Sequence, residues 1–175
     1  MSDLIERVNV AVVRYPDWPK PGVTFADFSP VYADPDLRQE LIAHFSNIVA
    51  NEGIEVVAAV ESRGYLLGMS IADDLDLPFV QVRKAGKLPG DCVKVAYSLE
   101  YGMAEVEIQA SAFKEGDRVL LVDDVLATGG TMKAAIELIQ MSKATVECAV
   151  VIAEIEFLKG RESLPGIEVR SLIQL

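Results

Sequence analysis

Hydrophobic and polar positions along the chain change repeatedly between the spacing of strands and the spacing of helices. Short aliphatic runs indicate buried strands at residues 56–60, 79–83, 119–122 and 146–152. Apolar residues spaced three and four apart indicate helices at residues 3–14, 34–51, 65–75 and 131–142. The second of these helices has Asp34 as a candidate cap and Pro35 in its first turn. This alternation predicts an α/β fold with a mostly parallel sheet and helices on both faces.

Two segments do not follow this alternation. Residues 93–99 and 104–108 predict a hairpin that turns near Tyr101-Gly102. The stretch before it, Lys84-Ala-Gly-Lys-Leu-Pro-Gly90, is basic and rich in Gly and Pro, and we expect it to be a mobile lid. Residues 15–22 contain three prolines, which cannot lie inside a helix, and therefore predict an irregular loop.

Composition narrows the class of protein. With 175 residues, 51% of them hydrophobic, the chain is long enough for one domain with a sizeable core. It has no apolar run near the ~20 residues of a membrane span and no signal-peptide pattern, so we expect a cytoplasmic protein. A net charge of −11 opposes binding to nucleic acid or to an anionic membrane.

Neither cysteine nor histidine chemistry is indicated. Cys92 and Cys148 match no metal-binding spacing, and we expect two free thiols. His44 is the only histidine, and it falls in a predicted helix, where we expect a surface position. A Ser-His-Asp hydrolase is therefore not supported.

The loop between the strand at 119–122 and the helix at 131–142 has the chemistry of a phosphate site. Its glycines can take positive φ without a Cβ clash, so successive backbone N–H groups can point at one anion. Threonine hydroxyls add donors, and the positive end of the following helix lies behind them. The predicted phosphate cradle consists of Ala127, Thr128, Gly129, Gly130 and Thr131.

Two adjacent carboxylates, Asp123 and Asp124, stand between this strand and the cradle. Ionised carboxylates only accept hydrogen bonds, which suits a vicinal diol such as the 2′- and 3′-hydroxyls of a ribose. Ligands of open α/β sheets bind beyond the carboxyl ends of the strands, where Glu61 and Arg83 are also expected. The acidic doublet and the cradle together predict a site for a ribose 5-phosphate.

Two other phosphate-handling folds share part of this pattern. A P-loop needs Lys and then Ser or Thr after its second glycine, whereas Thr131 and Met132 follow Gly130. In a receiver domain the acid pair closes the first strand, but less than a third of this chain follows Asp124. Both are excluded, and an ordinary strand-turn-helix with capping acids remains as the alternative.

At the acidic doublet and cradle the chain resembles the phosphoribosyltransferases. Over nearly its whole length it resembles one family among them, the adenine phosphoribosyltransferases. That resemblance rests on five segments: Tyr15-Pro-Asp-Trp-Pro-Lys-Pro-Gly-Val-Thr-Phe25, Glu61-Ser-Arg-Gly64, Arg83-Lys-Ala-Gly-Lys-Leu-Pro-Gly90, Tyr97-Ser-Leu-Glu-Tyr-Gly102 and Leu158-Lys-Gly-Arg161.

The resemblance implies a single domain over residues 1–175 with the type I phosphoribosyltransferase fold, a mostly parallel twisted sheet flanked by helices. Residues 1–34 would form a small hood beside the purine site, and residues 84–107 a flexible hairpin lid. The implied reaction is purine salvage: adenine and 5-phosphoribosyl 1-diphosphate give AMP and diphosphate. Mg²⁺ is the implied cofactor, held by diphosphate, ribose hydroxyls and water rather than directly by the protein. A homodimer is also implied.

Roles for charged residues follow from the same resemblance. Arg63 and Lys87, with Arg83 beside the lid, would stabilise the departing diphosphate, and one of these cations would reach a neighbouring subunit's site. A cis peptide between Glu61 and Ser62 would turn backbone N–H groups towards the diphosphate.

The resemblance places its general acid or base at Glu100, near the proton that adenine must lose from N9. Solvated surface charge remains the alternative for the cations. For Glu100 the alternative is an acid at a hairpin end.

The purine would lie between an aromatic and an aliphatic side chain. Adenine is expected to stack on Phe25 with Leu158 on its other face, and Tyr101 would help to wall the site. A backbone C=O and N–H from residues 23–27 would read N6 and N1 of the base. Taken alone, Phe25 and Leu158 are also ordinary core residues. Ala26 stands where the family commonly has Arg, and Ala85 where many members have Arg or Pro.

Two other functions remain open. One is a phosphoribosyltransferase for a 6-oxopurine such as hypoxanthine, guanine or xanthine. The other is a regulatory protein that keeps the fold to sense purines and binds nucleic acid. The acidic charge and the absence of a helix-turn-helix extension weigh against the regulator.

Overall fold

A computed structural model describes residues 2–98 and 103–175. From residue 56 onward strands alternate with helices, except between residues 79 and 126, where the described elements are four successive strands. The helices are Ser2–Ala11 (α1), Ser29–Ala33 (α2), Pro35–Val49 (α3), Arg63–Asp74 (α4) and Gly130–Met141 (α5). The strands are Val13–Tyr15 (β1), Phe25–Asp27 (β2), Val56–Val60 (β3), Phe79–Lys84 (β4), Cys92–Ser98 (β5), Met103–Gln109 (β6), Arg118–Leu126 (β7), Thr145–Glu154 (β8) and Glu168–Gln174 (β9). Two single-turn 3₁₀ helices, Glu156–Leu158 and Gly160–Ser163, lie between β8 and β9.

The central sheet has the order β5-β6-β4-β3-β7-β8-β9. Strands β4, β3, β7, β8 and β9 run parallel, whereas β6 is antiparallel to both β4 and β5. The predicted α/β class and mostly parallel sheet are confirmed. Strands β1 and β2 form a separate antiparallel pair in the N-terminal part of the chain.

Strand β3 shows why the pattern near residue 56 is continuously aliphatic. Its side chains are buried on both faces of the sheet: Val57 and Ala59 join one apolar layer, and Val56, Ala58 and Val60 join the other. The first layer includes residues of α1, α3 and α4, and the second includes residues of α5. The core therefore lies on both sides of the sheet, and the strand ends are left for the site.

Several predicted bounds differ from the structure. The helix predicted for residues 3–14 ends at Ala11, because residues 13–15 pair with β2 and place Arg14 opposite Ala26. Strand β7 continues to Leu126, so the acidic doublet lies within the strand and not after it. Backbone pairing with β8 extends the strand regardless of side-chain polarity. The sequence pattern predicted neither β9 nor α2.

Other expectations hold. Asp34 caps α3, since its carboxylate accepts hydrogen bonds from the backbone N–H groups of Asp36 and Leu37, both at 3.0 Å. Both cysteines are free, and Cys148 is buried. The hairpin of β5 and β6 is present, although its predicted turn at residues 101–102 lies outside the described residues.

His44 corrects one expectation. It lies in α3 as predicted, but it is partly buried, and its ring packs edge-on against Phe45 at 5.4 Å between centroids. Within the described residues, no helix combines the length and apolarity needed to cross a membrane.

Candidate active site

The predicted phosphate cradle connects the end of β7 to the start of α5. Gly129 takes φ of 83°, a left-handed conformation that glycine adopts without a Cβ clash. Gly130 is the first residue of α5 with helical backbone, so only one of the two glycines uses the freedom that the sequence suggested. The turn directs the N-terminus of a twelve-residue helix at the cradle, which provides the partial positive charge that an anion needs.

The cradle is supported from behind by the second 3₁₀ helix. The hydroxyl of Ser163 donates a hydrogen bond to the carbonyl oxygen of Thr128 at 2.9 Å. A Cβ added to Gly129 would lie 2.5 Å from the carbonyl oxygen of Gly160, and one added to Gly160 would collide with the carbonyl oxygen of Ala127. Both glycines therefore permit a backbone approach that no larger residue allows. The sequence analysis assigned no role to Ser163 or Gly160.

Thr131 connects the cradle to the hairpin. Its hydroxyl donates a hydrogen bond to the phenolic oxygen of Tyr97 in β5 at 3.3 Å. The sequence analysis expected this hydroxyl to serve as a phosphate donor. In the structure it is also the link between α5 and the strand that leads to the predicted lid turn.

The acidic doublet is built into β7 with its carboxylates in contact. Asp123 Oδ1 accepts a hydrogen bond from the backbone N–H of Asp124 at 2.9 Å, and Asp124 is only 4% exposed. Burial, followed by the charge of Asp124, raises the pKa of Asp123 well above its usual value. Burial also raises the pKa of Asp124, although the charge of Arg63 opposes this. The doublet therefore holds protons more tightly than exposed aspartates do.

Arg63, the first residue of α4, stands against this doublet. Its Nε lies 2.6 Å from Asp124 Oδ2, but that oxygen accepts no directed hydrogen bond from the described residues, so the contact is an ion pair. One Nη1 proton is donated to the carbonyl oxygen of Ala26 at 3.1 Å. The guanidinium carbon lies 4.7 Å from the ring centroid of Phe25. The sequence analysis expected Arg63 at the diphosphate, whereas the structure places it between the predicted ribose and purine contacts.

The loop that precedes α4 has the predicted backbone. The peptide bond between Glu61 and Ser62 is cis, as expected. Glu61 Oε2 accepts a hydrogen bond from the backbone N–H of Lys84 at 2.8 Å and lies 3.4 Å from Arg83 Nε. A Cβ on Gly64 would lie 2.9 Å from Asp123 Oδ1, so the start of α4 packs directly against the acidic doublet. The sheet edge thus brings Glu61, Arg83 and Asp123 together as the sequence predicted.

Glu107 anchors the segment that was predicted to be a mobile lid. Its side chain is 1% exposed, and Oε1 accepts hydrogen bonds from the backbone N–H groups of Lys87 at 2.7 Å and Leu88 at 2.8 Å. Backbone hydrogen bonds from Gly86, Leu88 and Lys87, together with the charge of Lys94, lower the pKa of Glu107 to about 2. The sequence analysis missed this residue. The mobility of the lid stays a prediction.

A cavity of about 650 Å³ joins the predicted purine and phosphate halves of the site. Its lining includes Val23, Thr24, Ala26, Ala127, Thr128 and Leu158. Phe25 does not line this cavity. The centroid of its ring lies 4.5 Å from that of Trp18, and the Arg63 guanidinium lies over the ring. Leu158 and Ala26 therefore lie where a base could bind, but the expected Phe25 platform is covered in this conformation.

An ion pair between a buried acid and a half-exposed arginine holds the turn that carries Leu158. Glu154, at the end of β8, is 6% exposed and accepts hydrogen bonds from Arg161 Nε at 2.8 and 2.9 Å. Burial alone would raise the pKa of Glu154, but the hydrogen bond and charge of Arg161 outweigh it and lower the pKa. Arg161 belongs to a segment on which the family resemblance rests, whereas nothing in the sequence singled out Glu154.

Tyr32 in α2 is another residue that the sequence analysis missed. Its hydroxyl is buried and has no hydrogen-bond partner among the described residues. Burial, followed by the charge of Asp124, raises the pKa of this phenol. Two predicted site residues, Glu100 and Tyr101, lie outside the described residues.

A left-handed glycine turn at a helix start, beside two carboxylates at the carboxyl edge of a parallel sheet, is the site that the resemblance to the phosphoribosyltransferases predicts. Residues 31–163 match the family model described as phosphoribosyl transferase domain. A curated adenine phosphoribosyltransferase from Francisella philomiragia is 44% identical over 172 residues, which covers 97% of this chain and 98% of that protein. The chain belongs to the adenine phosphoribosyltransferase family.

Solved structures agree with this assignment. A crystal structure of adenine phosphoribosyltransferase from Thermoanaerobacter pseudethanolicus matches with a TM-score of 0.96 and 37% identity, over 98% of this chain and 99% of that one. The enzyme from Saccharomyces cerevisiae, complexed with adenine and D-2,5-dideoxy-2,5-imino-altritol 1,6-bisphosphate, matches with a TM-score of 0.93 and 39% identity, covering 98% and 99%. The type I phosphoribosyltransferase fold expected from the resemblance is therefore confirmed.

Proposed function

We infer that the protein transfers the ribosyl 5-phosphate group of 5-phosphoribosyl 1-diphosphate to N9 of adenine, which gives AMP and diphosphate. The observation that carries this inference is the continuous cavity between Leu158 and Ala26 at one end and the cradle residues Ala127 and Thr128 at the other. A nucleoside monophosphate has the same layout, with a base and a phosphate separated by a sugar. The acidic doublet in β7 precedes the cradle, where the sugar hydroxyls need acceptors.

The proposed reaction forms the N9–C1′ bond and breaks the bond from C1′ to the diphosphate oxygen. Positive charge grows on the ribose ring as diphosphate departs, so the site must neutralise a polyanion and hold the base in line. We assign the diphosphate to the backbone at Glu61-Ser62 and to Arg83 and Lys87, with Arg63 joining them. We assign the proton that leaves N9 to Glu100 as general base.

Selectivity for adenine is proposed to come from backbone groups of residues 23–27. Adenine presents a donor at N6 beside an acceptor at N1, whereas a 6-oxopurine presents the opposite pattern. A carbonyl oxygen such as that of Ala26, placed opposite position 6 of the base, accepts from the N6 amino group of adenine but would face another acceptor, O6, in a 6-oxopurine. Ala26 lines the cavity, and its carbonyl oxygen already accepts a hydrogen bond from Arg63 at 3.1 Å.

Mg²⁺ is the proposed cofactor. Among residues 2–98 and 103–175, no group of three or more His, Cys, Asp or Glu side chains can hold a metal. We propose that the ion arrives with the diphosphate and is held by diphosphate oxygens, ribose hydroxyls and water, as Mg²⁺ usually is at phosphate sites, while the acidic doublet accepts hydrogen bonds from the ribose hydroxyls. When bound, it supplies charge neutralisation for the leaving diphosphate. We expect EDTA to abolish AMP formation and added MgCl₂ to restore it.

A homodimer is also proposed, and it would bring one subunit's cations near the other's site. Leu66 and Met69 on α4 are 55% and 51% exposed, although both are large and apolar, and they lie on the helix that begins at Arg63. A second copy of the chain would cover them. We expect a dimer mass in sedimentation equilibrium and a monomer for Leu66→Glu with Met69→Glu. A monomeric wild-type protein would contradict this proposal. The cytoplasmic location stays a prediction.

One assay separates the proposed function from its alternatives. Purified protein is incubated with Mg²⁺, 5-phosphoribosyl 1-diphosphate and one purine base at a time, and AMP, IMP, GMP and XMP are measured. AMP as the main product supports the proposal. IMP, GMP or XMP as the main product would instead identify a 6-oxopurine enzyme, and the absence of any nucleotide would favour a purine-sensing regulator.

A further inference from the structure

Arg14 lies beside the base end of the cavity, and the proposed reaction gives it no role. It belongs to the short strand β1 and is among the residues that line the cavity, together with Ala26 and Leu158. The residue is exposed, so it is not part of the apolar core. Most of the cavity wall is apolar, and a charge acts more strongly across an apolar space than through water. Arg14 therefore acts on any base that binds there.

Arg14 and Ala26 are direct partners in the antiparallel pair of β1 and β2. Side chains at opposed positions of such a pair project from the same face, with their Cβ atoms about 4.5–5.5 Å apart. Ala26 contributes only a methyl group, and both residues line the cavity. Because Ala26 fills so little of the space beside it, the long Arg14 side chain can extend across β2 towards the base.

The pairing also bears on the departure from the family pattern at position 26. The family commonly has Arg there, whereas this chain has Ala26 on β2 and an arginine directly across the ribbon on β1. Two long side chains that start from opposed positions of one ribbon can bring a guanidinium to the same volume. The β1–β2 ribbon therefore keeps one positive charge at the cavity, although it comes from the other strand.

The contacts that hold Arg14 in the free protein are weak. Its Nη1 lies 3.4 Å from the carbonyl oxygens of both Asn9 and Val12, and its Nη2 lies 3.3 Å from Asn9 Oδ1. These distances are at the long end for hydrogen bonds. Among residues 2–98 and 103–175, Arg14 takes part in no ion pair. A ligand can therefore take over its donors without separating it from a carboxylate of these residues.

We propose that Arg14 is a substrate-binding residue of the purine site, where it donates N–H groups to ring nitrogens of adenine. Unprotonated ring nitrogens are acceptors, and a guanidinium offers only donors, so the two are complementary. The same charge stabilises the negative charge that grows on the ring as N9 loses its proton. This inference rests on the proposed function, because it assigns adenine to this end of the cavity.

A purely structural role for Arg14 makes a different prediction. Helix α1 ends at Ala11, so the guanidinium also lies near the carboxyl end of that helix, where a cation stabilises the last carbonyl groups. In that case removal of the side chain would lower the melting temperature and leave binding of the base unchanged. If Arg14 instead binds the base, its removal should weaken base binding while the melting temperature changes little.

Calorimetric titration compares two ligands that differ only by the base. AMP carries the base, the sugar and the phosphate, whereas ribose 5-phosphate lacks the base. The variants are Arg14→Ala and Arg14→Lys, which keeps the charge but not the planar group. Lys114→Ala is the matched control, because it likewise removes one exposed cation, from the loop before β7 and hence at the end of that strand opposite the cradle.

A fourth variant tests the exchange between strands. Arg14→Ala combined with Ala26→Arg moves the guanidinium to the opposed position of the same ribbon. Melting temperatures show which variants are folded. Steady-state assays of AMP formation give kcat and KM for adenine and for 5-phosphoribosyl 1-diphosphate, so that an effect on the base is separated from an effect on the donor.

We expect Arg14→Ala to bind AMP roughly 10- to 100-fold more weakly than the wild-type protein, the range of one hydrogen bond that involves a charged group. Its binding of ribose 5-phosphate and its KM for the donor should stay within about twofold of wild type, whereas kcat/KM for adenine should fall at least as far as AMP binding. Arg14→Lys should lie between the two proteins, and Lys114→Ala should match the wild type. The double variant should recover most of the loss.

An AMP affinity of Arg14→Ala within twofold of the wild type would overturn the inference. Equal weakening of AMP and ribose 5-phosphate would overturn it too, and so would a folded double variant that binds AMP no better than Arg14→Ala. If the double variant does not fold, Arg14→Ala decides alone. A wild-type protein that binds AMP but forms none would refute the proposed reaction and not the role of Arg14, since binding is measured without turnover.

Discussion

The hydroxyl of Ser163 donates a hydrogen bond to the carbonyl oxygen of Thr128 at 2.9 Å. This bond joins the turn after β8 to the phosphate cradle. The same turn carries Leu158, a wall of the purine cavity, and Gly160, whose backbone packs against Ala127. The purine wall and the cradle are therefore one connected unit. A substitution in the turn after β8 should change the binding of both the purine and the phosphate.

Ser163→Ala should weaken binding of the phosphoribosyl donor without unfolding the protein. Loss of one hydrogen bond of about 0.5–1.5 kcal/mol corresponds to roughly a two- to tenfold change in binding. We therefore expect KM for 5-phosphoribosyl 1-diphosphate to rise by that factor in steady-state assays. Ser163→Thr keeps the hydroxyl and should restore KM. An unchanged KM in Ser163→Ala would show that the bond does not position the cradle.

Gly129→Ala should be far more damaging than the same change at another left-handed glycine. Gly129 has φ of 83°, and its new Cβ would lie 2.5 Å from the Gly160 carbonyl oxygen. Gly116 has φ of 90°, and no atom lies within 4 Å of a Cβ added there. Both variants lose about 1–2 kcal/mol from the left-handed backbone, but only Gly129→Ala must also displace the 3₁₀ turn.

Thermal denaturation and AMP formation distinguish the two glycine variants. We expect a larger loss of melting temperature in Gly129→Ala and at least a tenfold higher KM for the phosphoribosyl donor. Gly116→Ala should have the same KM for the phosphoribosyl donor as the wild-type protein. Equal effects of the two substitutions would mean that the close approach of residue 129 to the Gly160 carbonyl oxygen contributes nothing to stability or to donor binding.

The elements that sequence reasoning located correctly are those with local causes. Strand β3 has the predicted bounds of residues 56–60, because burial on both faces requires an unbroken aliphatic run. The start of α3 follows from its Asp34 cap. The positive φ of Gly129 likewise follows from the chemistry of the cradle and the geometry of a glycine turn.

The features that sequence reasoning missed depend on contacts between distant parts of the chain. The Arg63 ion pair spans α4 and β7, and the Glu107 anchor joins β6 to the lid. Glu107 carries no periodic or motif signal, because an acid in an alternating strand usually faces solvent. Arg63 and Asp124 each lie in a recognised segment, but the sequence does not show that the two side chains pair. The length of β7 was underestimated because the backbone of β8 pairs with residues such as Asp123 whatever their side chains.

Glu100→Gln is predicted to slow the chemical step selectively. A general base contributes about 10²–10⁴-fold to rate, so kcat for AMP formation should fall within that range while the melting temperature stays nearly constant. The pH profile of kcat should also lose its acidic limb, since Gln does not titrate. Wild-type turnover in Glu100→Gln would remove the general-base assignment.

Asp123→Asn should stabilise the protein at neutral pH and abolish activity. Burial and the charge of Asp124 raise the folded-state pKa of Asp123 well above the unfolded value of 3.8, so the folded protein binds this proton more tightly. The contribution to stability is complete below pH 3.8 and is lost as pH rises through the raised folded pKa. Asn carries no proton that can be lost in this way, so the advantage of the variant in melting temperature should grow as pH rises above about 4 and through the raised folded pKa of Asp123.

Asp74→Asn, at an exposed position at the end of α4, is the control for Asp123→Asn because it removes the same charge without changing burial. The difference in melting temperature between Asp74→Asn and the wild-type protein should vary little as pH rises over the same interval. If the advantage of Asp123→Asn shrank as pH rose, the doublet would not be carrying the raised pKa that its burial indicates.

Glu107→Gln should release the lid and lower the melting temperature. The pH dependence of this change should be opposite in sign to that of Asp123→Asn. The folded-state pKa of Glu107 is lowered from 4.5 to about 2, so its contribution to stability is present above pH 4.5 and is lost as pH falls towards 2. The melting temperature of the wild-type protein should therefore exceed that of the variant near neutral pH, and the difference should shrink on acidification. Glu105→Gln, an exposed acid on the same strand, should show no such trend.

Hydrogen exchange gives an independent measurement of the Glu107 anchor. The backbone N–H groups of Lys87 and Leu88 donate to Glu107 at 2.7 and 2.8 Å, so their protection should fall in Glu107→Gln but persist in Glu105→Gln. Because Lys87 is assigned to the diphosphate, the same variant should raise KM for 5-phosphoribosyl 1-diphosphate more than it lowers kcat. Protected Lys87 and Leu88 amides in Glu107→Gln would mean that the lid is held by its own turn geometry, and the buried carboxylate would then have no role in positioning Lys87.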